Sequence, residues 1–215
     1  RRDFDGDRAY QLALKQATRS WCNGRKGGRK YGDEYRRRGW IAEHKVASPT
    51  VKTEENEAKA SVQKTTEYAY SDYSVALMAR ALGDTESCNV LMERAKNYRN
   101  LFDKSTGFMR GRLAAGSWVT PFDPGIPYYV YMYRESNGWM ATFFAPHDPQ
   151  GLVSLFPNKG AFEAKLDKLF STPFEGYEAD NMTGWFGQYC VGNQPSQGIA
   201  YYYYFIDKPE KAQEK

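Results

Sequence analysis

Three polar stretches of the sequence contain residue types that could do chemistry. The most concentrated runs from Tyr133 to Trp139 and places one carboxylic acid, Glu135, beside Asn137 and Trp139 among apolar residues. A glutamate in such surroundings can act as a general acid, the group that protonates a departing oxygen. Most glutamates are solvated surface residues, so this stretch on its own favours a solvated Glu135 over a catalytic one.

The second stretch, Gly192–Gln197, is rich in carbonyl oxygens. The side chains of Asn193 and Gln194, together with nearby backbone carbonyls, could bind a hard cation. A helix cap before Pro195 is the simpler interpretation. The sequence has two histidines and three widely separated cysteines. A metal ion in this protein would therefore need oxygen ligands, which points to calcium or magnesium.

The third stretch, Glu67–Tyr73, places Asp72 among tyrosines. The apolar pattern that follows predicts a helix, and Asp72 then lies at its expected entry. An aspartate in that position normally caps the first turn, so capping is the default role for Asp72.

Composition limits the classes of protein that need to be considered. The chain has 215 residues, of which 41% are hydrophobic, and a net charge of +4. No apolar run approaches the roughly 20 residues that span a bilayer, so no membrane partner is expected. Basic residues cluster at Arg25–Lys26, Arg29–Lys30 and Arg36–Arg38. A solvated basic surface explains these clusters better than nucleic-acid binding, and no nucleic-acid partner is expected.

The elements that must position these residues are helical. Apolar residues recur near a 3.6-residue period from Arg8 to Trp21 and again before Gly83, which is suited to end a helix. Further helices are predicted to begin at the N-caps Asp84, Asp148 and Asn158, and another to follow Pro195. Long loops rich in aromatic residues, 103–128 and 171–198, join them. This organisation predicts an all-α chain of helical hairpins, part of an (α/α)6 toroid with long aromatic loops.

Taken in order, these segments resemble glycoside hydrolase family 92, the calcium-dependent exo-α-mannosidases. The family's Thr-Glu-Gly-Asn-x-Trp is similar to Arg134–Trp139, and its Val-Pro-His-Asp to Ala145–Asp148. Its Gly-Asn-Glu-Pro-Ser-His-His-Ile-Ala-Tyr is similar to Gly192–Tyr201. Its Ser-Lys-Thr-Leu-Glu-Tyr-Ala-Tyr-Asp-Asp-Trp is similar to Gln63–Tyr73. The resemblance covers almost the whole chain.

The resemblance implies an inverting hydrolase that removes terminal α-linked mannose from glycans. Glu135 falls on the family's general acid. Asn193 and Gln194 fall on the motif that helps to hold the calcium ion, Ca2+. Asp72 falls on a segment near the terminal-mannose subsite, and Trp139 and Arg110 are further candidates for that pocket.

The resemblance also implies what surrounds the chain. Residues 1–215 would form a partial catalytic domain, without the family's N-terminal β-sandwich domain and its C-terminal segment carrying the catalytic base. Those parts are expected as partners, the isolated chain is expected to be inactive, and the protein is expected to be secreted, periplasmic or at the cell surface. At Gln194 a glutamine replaces the family's glutamate. The alternative is therefore a catalytically inactive carbohydrate-binding relative or fragment.

Overall fold

The computed structural model describes residues 4–19, 29–43, 59–127, 132–176, 179 and 182–215. The chain divides into two compact units, one of residues 1–41 and 64–100 and the other of residues 42–63 and 101–215. The α-helices of the described residues are α1 (Gly6–Thr18), α2 (Gly32–Arg38), α3 (Ser61–Ala81), α4 (Thr85–Arg94), α5 (Gly138–Ala141), α6 (Pro149–Val153), α7 (Lys159–Ser171) and α8 (Pro209–Glu214). Short 3-10 helices cover Asn97–Leu101, Gln194–Ser196 and Ile199–Ile206. None of the helices in these ranges is long and apolar enough to cross a membrane.

The first unit is built on α1, α3 and α4. Asp84 caps α4 as predicted, because it accepts a hydrogen bond from the Ser87 N–H, and Asp5 caps α1 in the same way by accepting from the Arg8 N–H. Gly83 lies between α3 and α4 at a φ of +79°, a conformation that glycine adopts without a steric penalty. The core of this unit consists of Tyr10, Ala17, Val75, Ala76, Ala79, Cys88 and Leu91.

The second unit contains two short antiparallel hairpins, the helices α5 to α8 and the 3-10 helices Gln194–Ser196 and Ile199–Ile206. Strands β1 (Phe102–Asp103) and β2 (Phe108–Met109) pair with Phe102 opposite Met109. Strands β3 (Trp185–Phe186) and β4 (Tyr189–Cys190) pair with Trp185 opposite Cys190. The predicted caps of α6 and α7 are confirmed, since Asp148 and Asn158 each accept a hydrogen bond from the backbone N–H three residues later. Aromatic rings fill this core, among them Phe102, Phe143, Phe156, Phe162 and Tyr202.

Some local expectations were wrong. Asp72 lies inside α3 and not at its entry, so it caps nothing. The helix predicted after Pro195 is a 3-10 helix over Ile199–Ile206, and it is not the last, because α8 follows it. Residues three apart share one side of such a helix, and the buried Ile199 and Tyr202 have this spacing, as do Tyr203 and Ile206. From the sequence, Tyr128–Met132 is the best candidate for a strand, with a helix equally possible, and of these residues only Met132 is described.

Candidate functional site

The first polar stretch forms the entry to α5. Asn137 caps this helix, because its side-chain oxygen accepts a hydrogen bond from the Met140 N–H at 3.0 Å. The Gly138 N–H donates to the Pro124 carbonyl at 2.8 Å, and a Cβ atom on Gly138 would lie only 2.8 Å from the Pro124 Cα. A side chain at position 138 would push the two segments apart. The cap and the glycine therefore hold Glu135 and Trp139 in a fixed relation to the Pro124 loop.

Glu135 itself has an unusual backbone. Its φ is +48°, in the left-handed region that residues with a Cβ seldom adopt. Its side chain is half-buried. Such a conformation costs of the order of 1–3 kcal/mol and is enriched at functional sites. The strain marks Glu135 as a residue whose placement the surrounding structure enforces.

The second polar stretch lies against the first. The Asn193 side-chain amide donates to the backbone carbonyl of Glu135, 58 residues away in sequence. Asn193 is only 4% exposed, and its side chain makes no capping hydrogen bond to the short 3-10 helix that follows. The capping interpretation of Asn193 is therefore wrong. The Ser196 hydroxyl also reaches α5, where it lies 2.9 Å from the Met140 sulfur.

Gln188 is a third link between these stretches that the sequence did not indicate. Its side-chain oxygen accepts a hydrogen bond from the Asn137 amide at 2.8 Å, and its own amide donates to the Pro173 carbonyl at 2.8 Å. Its backbone N–H donates to the Leu169 carbonyl at the end of α7. Only its position between two aromatic strand residues could have hinted that this glutamine is buried. Gln188 connects the cap of α5 to α7.

Trp139 belongs to an aromatic group that starts at β2. Its ring meets that of Phe108 edge to face, with centroids 4.9 Å apart. The Phe108 ring in turn contacts that of Phe122 at 5.8 Å, and the Arg110 guanidinium lies over Phe122 at 4.8 Å. Trp139 remains partly exposed. The structure therefore brings Trp139 and Arg110, both predicted pocket residues, to opposite ends of one aromatic row.

Arg110 is occupied by partners within the protein. Its guanidinium donates to the Val119 carbonyl at 2.6 and 2.9 Å and to the Asp103 carboxylate at 2.9 Å. Burial raises the pKa of Asp103, but hydrogen bonds from Ser105 and Arg110 outweigh it and leave that pKa below its usual value. Arg110 thus ties the β1–β2 hairpin to the following loop, and its place in a sugar pocket stays a prediction.

Asp72 lies in the first unit, where it is fully buried and forms ion pairs with two arginines, Arg29 and Arg94. One carboxylate oxygen accepts from Arg29 at 2.5 Å and from Arg94 at 2.7 Å. The other accepts from Arg94 at 2.8 Å and from the Tyr35 hydroxyl at 3.1 Å. Burial and the nearby Asp72 charge raise the pKa of Tyr35. Both oxygens of Asp72 are thus engaged, and its assignment to the mannose subsite stays a prediction.

Gln194 is exposed and borders an aromatic cleft of about 310 Å³ in the second unit. The cleft is lined by Phe143, Phe144, Pro195, Tyr201, Tyr202 and Phe205 among others. Burial raises the pKa of Tyr202, whose oxygen accepts a hydrogen bond from the Ala145 N–H at 3.2 Å. The cleft places the Gln194 amide at the edge of an apolar surface that could receive a ligand.

Amide oxygens at Asn193 and Gln194 suit calcium, which prefers hard oxygen ligands. The Asn193 amide nitrogen is used on Glu135, which leaves its carbonyl oxygen as the possible ligand. Within the described ranges, no group of three or more His, Cys, Asp or Glu side chains could hold a metal ion. These two residues therefore fit a calcium ion only as part of the six to eight oxygens that it takes.

Comparisons with known proteins agree on one family. The model of the glycosyl hydrolase family 92 catalytic domain matches residues 1–215. A solved family GH92 α-mannosidase of Bacteroides thetaiotaomicron, in complex with mannoimidazole, is 30% identical over 99% of this chain with a TM-score of 0.82. A family GH92 inverting mannosidase of the same organism is 28% identical over 99% of this chain with a TM-score of 0.77. This likeness confirms the all-α fold class, with helical hairpins that belong to a helical toroid domain.

A curated relative is an uncharacterized secreted glycosidase of Arthroderma benhamiae, which is 26% identical over an alignment of 171 positions that covers 69% of this chain and 20% of that protein. The chain covers 26% and 28% of the two bacterial mannosidases. It thus spans between a fifth and just over a quarter of the length of these proteins.

Proposed function

Since this chain belongs to the glycosyl hydrolase family 92 catalytic domain family, we propose that it is the acid-bearing part of an inverting, calcium-assisted α-mannosidase. The substrate would be a glycan with a terminal α-linked mannose. The contact between the Asn193 amide and the Glu135 carbonyl carries the proposal. It joins the two stretches that the sequence assigned separately to proton donation and to calcium.

In the proposed reaction Glu135 protonates the departing glycosidic oxygen. Two features of the backbone at Glu135 position this side chain. One is its left-handed conformation, and the other is the hydrogen bond that the Asn193 amide donates to its backbone carbonyl. An inverting enzyme needs a second carboxylate about 6.5–9.5 Å from the acid, so that a water molecule fits between it and the sugar. We assign that base to a part of the protein outside this chain. We likewise assign the β-sandwich domain, expected from the family resemblance, to a part of the protein outside this chain.

Hydrolysis of an aryl α-mannoside by the full-length protein tests the proposal. We expect turnover, and proton NMR at early times should show β-mannose as the first product, because a single displacement inverts the anomeric carbon. The matched substrate is the aryl β-mannoside, which should not be cleaved. Binding of mannose without any turnover would instead support the inactive carbohydrate-binding relative. Release of α-mannose first would contradict the inverting mechanism.

Calcium binding should depend on the charge at position 194. A bound calcium ion would supply positive charge at the sugar hydroxyl groups, and Asn193 and Gln194 would hold it through amide oxygens. A Gln194→Glu substitution adds one negative charge at the exposed edge of the cleft. Two unit charges 4 Å apart attract by about 1 kcal/mol even in water, and the ion is divalent. We therefore expect calcium affinity, measured by titration calorimetry, to rise at least about tenfold.

The matched control for that titration is Gln197→Glu, which adds the same charge at another exposed glutamine three residues along the chain. Its calcium affinity should change by less than about threefold, since an exposed charge at longer range is screened by salt. Equal effects of the two substitutions would show that Gln194 is not a ligand.

Extracellular action fits the proposal. The curated relative is described as a secreted glycosidase, and mannose-bearing glycans are exposed on secreted and surface molecules. We place this protein in a secreted, periplasmic or cell-surface setting.

A further inference from the structure

Lys165 is a half-buried lysine of α7 whose amine lies on the aromatic group that carries Trp139. Its Nζ lies 2.9 Å from the centroid of the Phe108 ring and 5.0 Å from that of Trp139. It also donates to the Thr106 carbonyl at 3.3 Å. A cation within about 6 Å of a ring centroid is attracted by the negative face of the ring. One amine therefore contacts both members of the edge-to-face pair.

This placement follows from the helix. Residues three and four apart lie on the same side of a helix, so Lys165 lies beside Phe162 and Leu169, both of which are fully buried. Its aliphatic stem can follow that apolar face while the amine reaches the β1–β2 turn. In that turn Gly107 has a φ of +68°, and a Cβ atom there would lie 3.6 Å from the Lys165 Nζ. The turn thus passes close to the amine.

We propose that Lys165 is a positioning residue, which fixes the orientation of the Phe108 and Trp139 rings through a cation–π contact. The relevance of this contact to sugar binding rests on the proposed function, in which Trp139 lines the mannose pocket. Lys165 acts through the two rings and touches no reacting atom.

The charge on Lys165 should change within the physiological pH range. Burial, together with the positive charge of Lys168, lowers the pKa of Lys165 to about 7. The amine is therefore charged below about pH 7 and neutral above it, so the cation–π contact weakens as the pH rises.

The other charged groups on the neighbouring elements are accounted for within the described residues. On α7, Lys159 pairs with Asp207, while Glu163 and Asp167 pair with Lys211. Helix α5 and strand β2 carry no titratable side chain. At the hairpin, Asp103 pairs with Arg110 and Lys104 is exposed.

Tryptophan fluorescence of the full-length protein tests the contact directly. The Trp139 signal is obtained by subtracting the spectrum of a Trp139→Phe variant at each pH. We expect its emission to be lower on the acid side, because a nearby ammonium group quenches an indole, with a midpoint at about pH 7. Lys165→Met, of similar size and without charge, should abolish this titration. Lys165→Arg keeps a cation at all pH values, so its emission should not change between pH 5 and pH 9.

Lys168→Met is the matched control, because it removes a positive charge from an exposed position of the same helix. It should keep the titration and shift its midpoint upward, since the charge that lowers the pKa of Lys165 is gone. A titration that persists in Lys165→Met, or that is absent in the parent protein, would overturn the inference. Circular dichroism of each variant shows that the fold is retained.

A kinetic measurement separates this inference from the proposed function. If Trp139 binds mannose, Lys165→Met should raise KM for an α-mannoside by about 3- to 30-fold at pH 6, with kcat nearly unchanged. Lys165→Arg should restore KM. An unchanged KM together with a lost fluorescence titration would keep Lys165 as the residue that orients Trp139 and would remove Trp139 from the mannose pocket.

Discussion

A Glu135→Gln substitution in the full-length protein is expected to lower kcat for an unactivated α-mannoside by about 10²- to 10⁴-fold, the range that a positioned general acid contributes. The amide has nearly the shape of the carboxyl group but donates no proton of comparable acidity. The hydrogen bond from Asn193 goes to the backbone carbonyl of residue 135, so the substitution leaves it in place. The loss should therefore appear in kcat, while KM changes little.

The leaving group provides an internal control for this prediction. The dinitrophenolate leaving group of a dinitrophenyl α-mannoside departs without protonation. Glu135→Gln should therefore slow the hydrolysis of this substrate far less than that of a methyl α-mannoside or a disaccharide. Glu175→Gln is the matched control variant, because Glu175 is exposed in the loop after α7, and its kcat should stay within about twofold of the parent. Equal loss with both substrates would show that Glu135 is not the proton donor.

An Asp72→Asn substitution is expected to destabilise the protein by about 3–5 kcal/mol, the usual cost of removing one partner of a buried ion pair. Asp72 is fully buried, and Arg29 and Arg94 are only 8% and 12% exposed. Asparagine would keep the shape of the side chain and remove the negative charge between two guanidinium groups. The two positive charges would then lie close together without compensation.

Urea unfolding measures this effect, with the midpoint and the slope analysed separately. Asp33→Asn is the matched control, since the carboxylate of Asp33 pairs with Arg36 but is 69% exposed. A surface pair of this kind contributes about 0–1 kcal/mol. A loss below about 1 kcal/mol in Asp72→Asn would mean that the arginine pair tolerates the missing charge, contrary to this prediction.

The helices were largely readable from the sequence, because the signals that define them are local. Asp84, Asp148 and Asn158 cap helices where the sequence placed them, since a cap is a contact between residues three positions apart. The buried stripe of α7, in which Phe162 and Leu166 lie four residues apart, likewise depends only on residues that are close in the chain.

The roles of the polar residues were harder to anticipate, because each depends on a distant partner. Asn193 and Asp72 both looked like helix caps, and neither is one. The Asn193 amide donates to a backbone carbonyl 58 residues away in sequence, and Asp72 accepts from arginines that are 43 and 22 residues away. A capping pattern in the sequence indicates only which hydrogen bonds a side chain can make to nearby residues. It does not indicate hydrogen-bond partners that are distant in the chain.

The sequence by itself determined the family, the helical class and the two stretches that carry the candidate acid and the candidate calcium ligands. It did so because residue order and helical periodicity are properties of the chain. Only the tertiary structure decided that these stretches meet at Glu135 and Asn193, and that Lys165 lies on the rings of Phe108 and Trp139. Both contacts join residues far apart in the chain, and they form only when packing of the apolar faces brings those residues together.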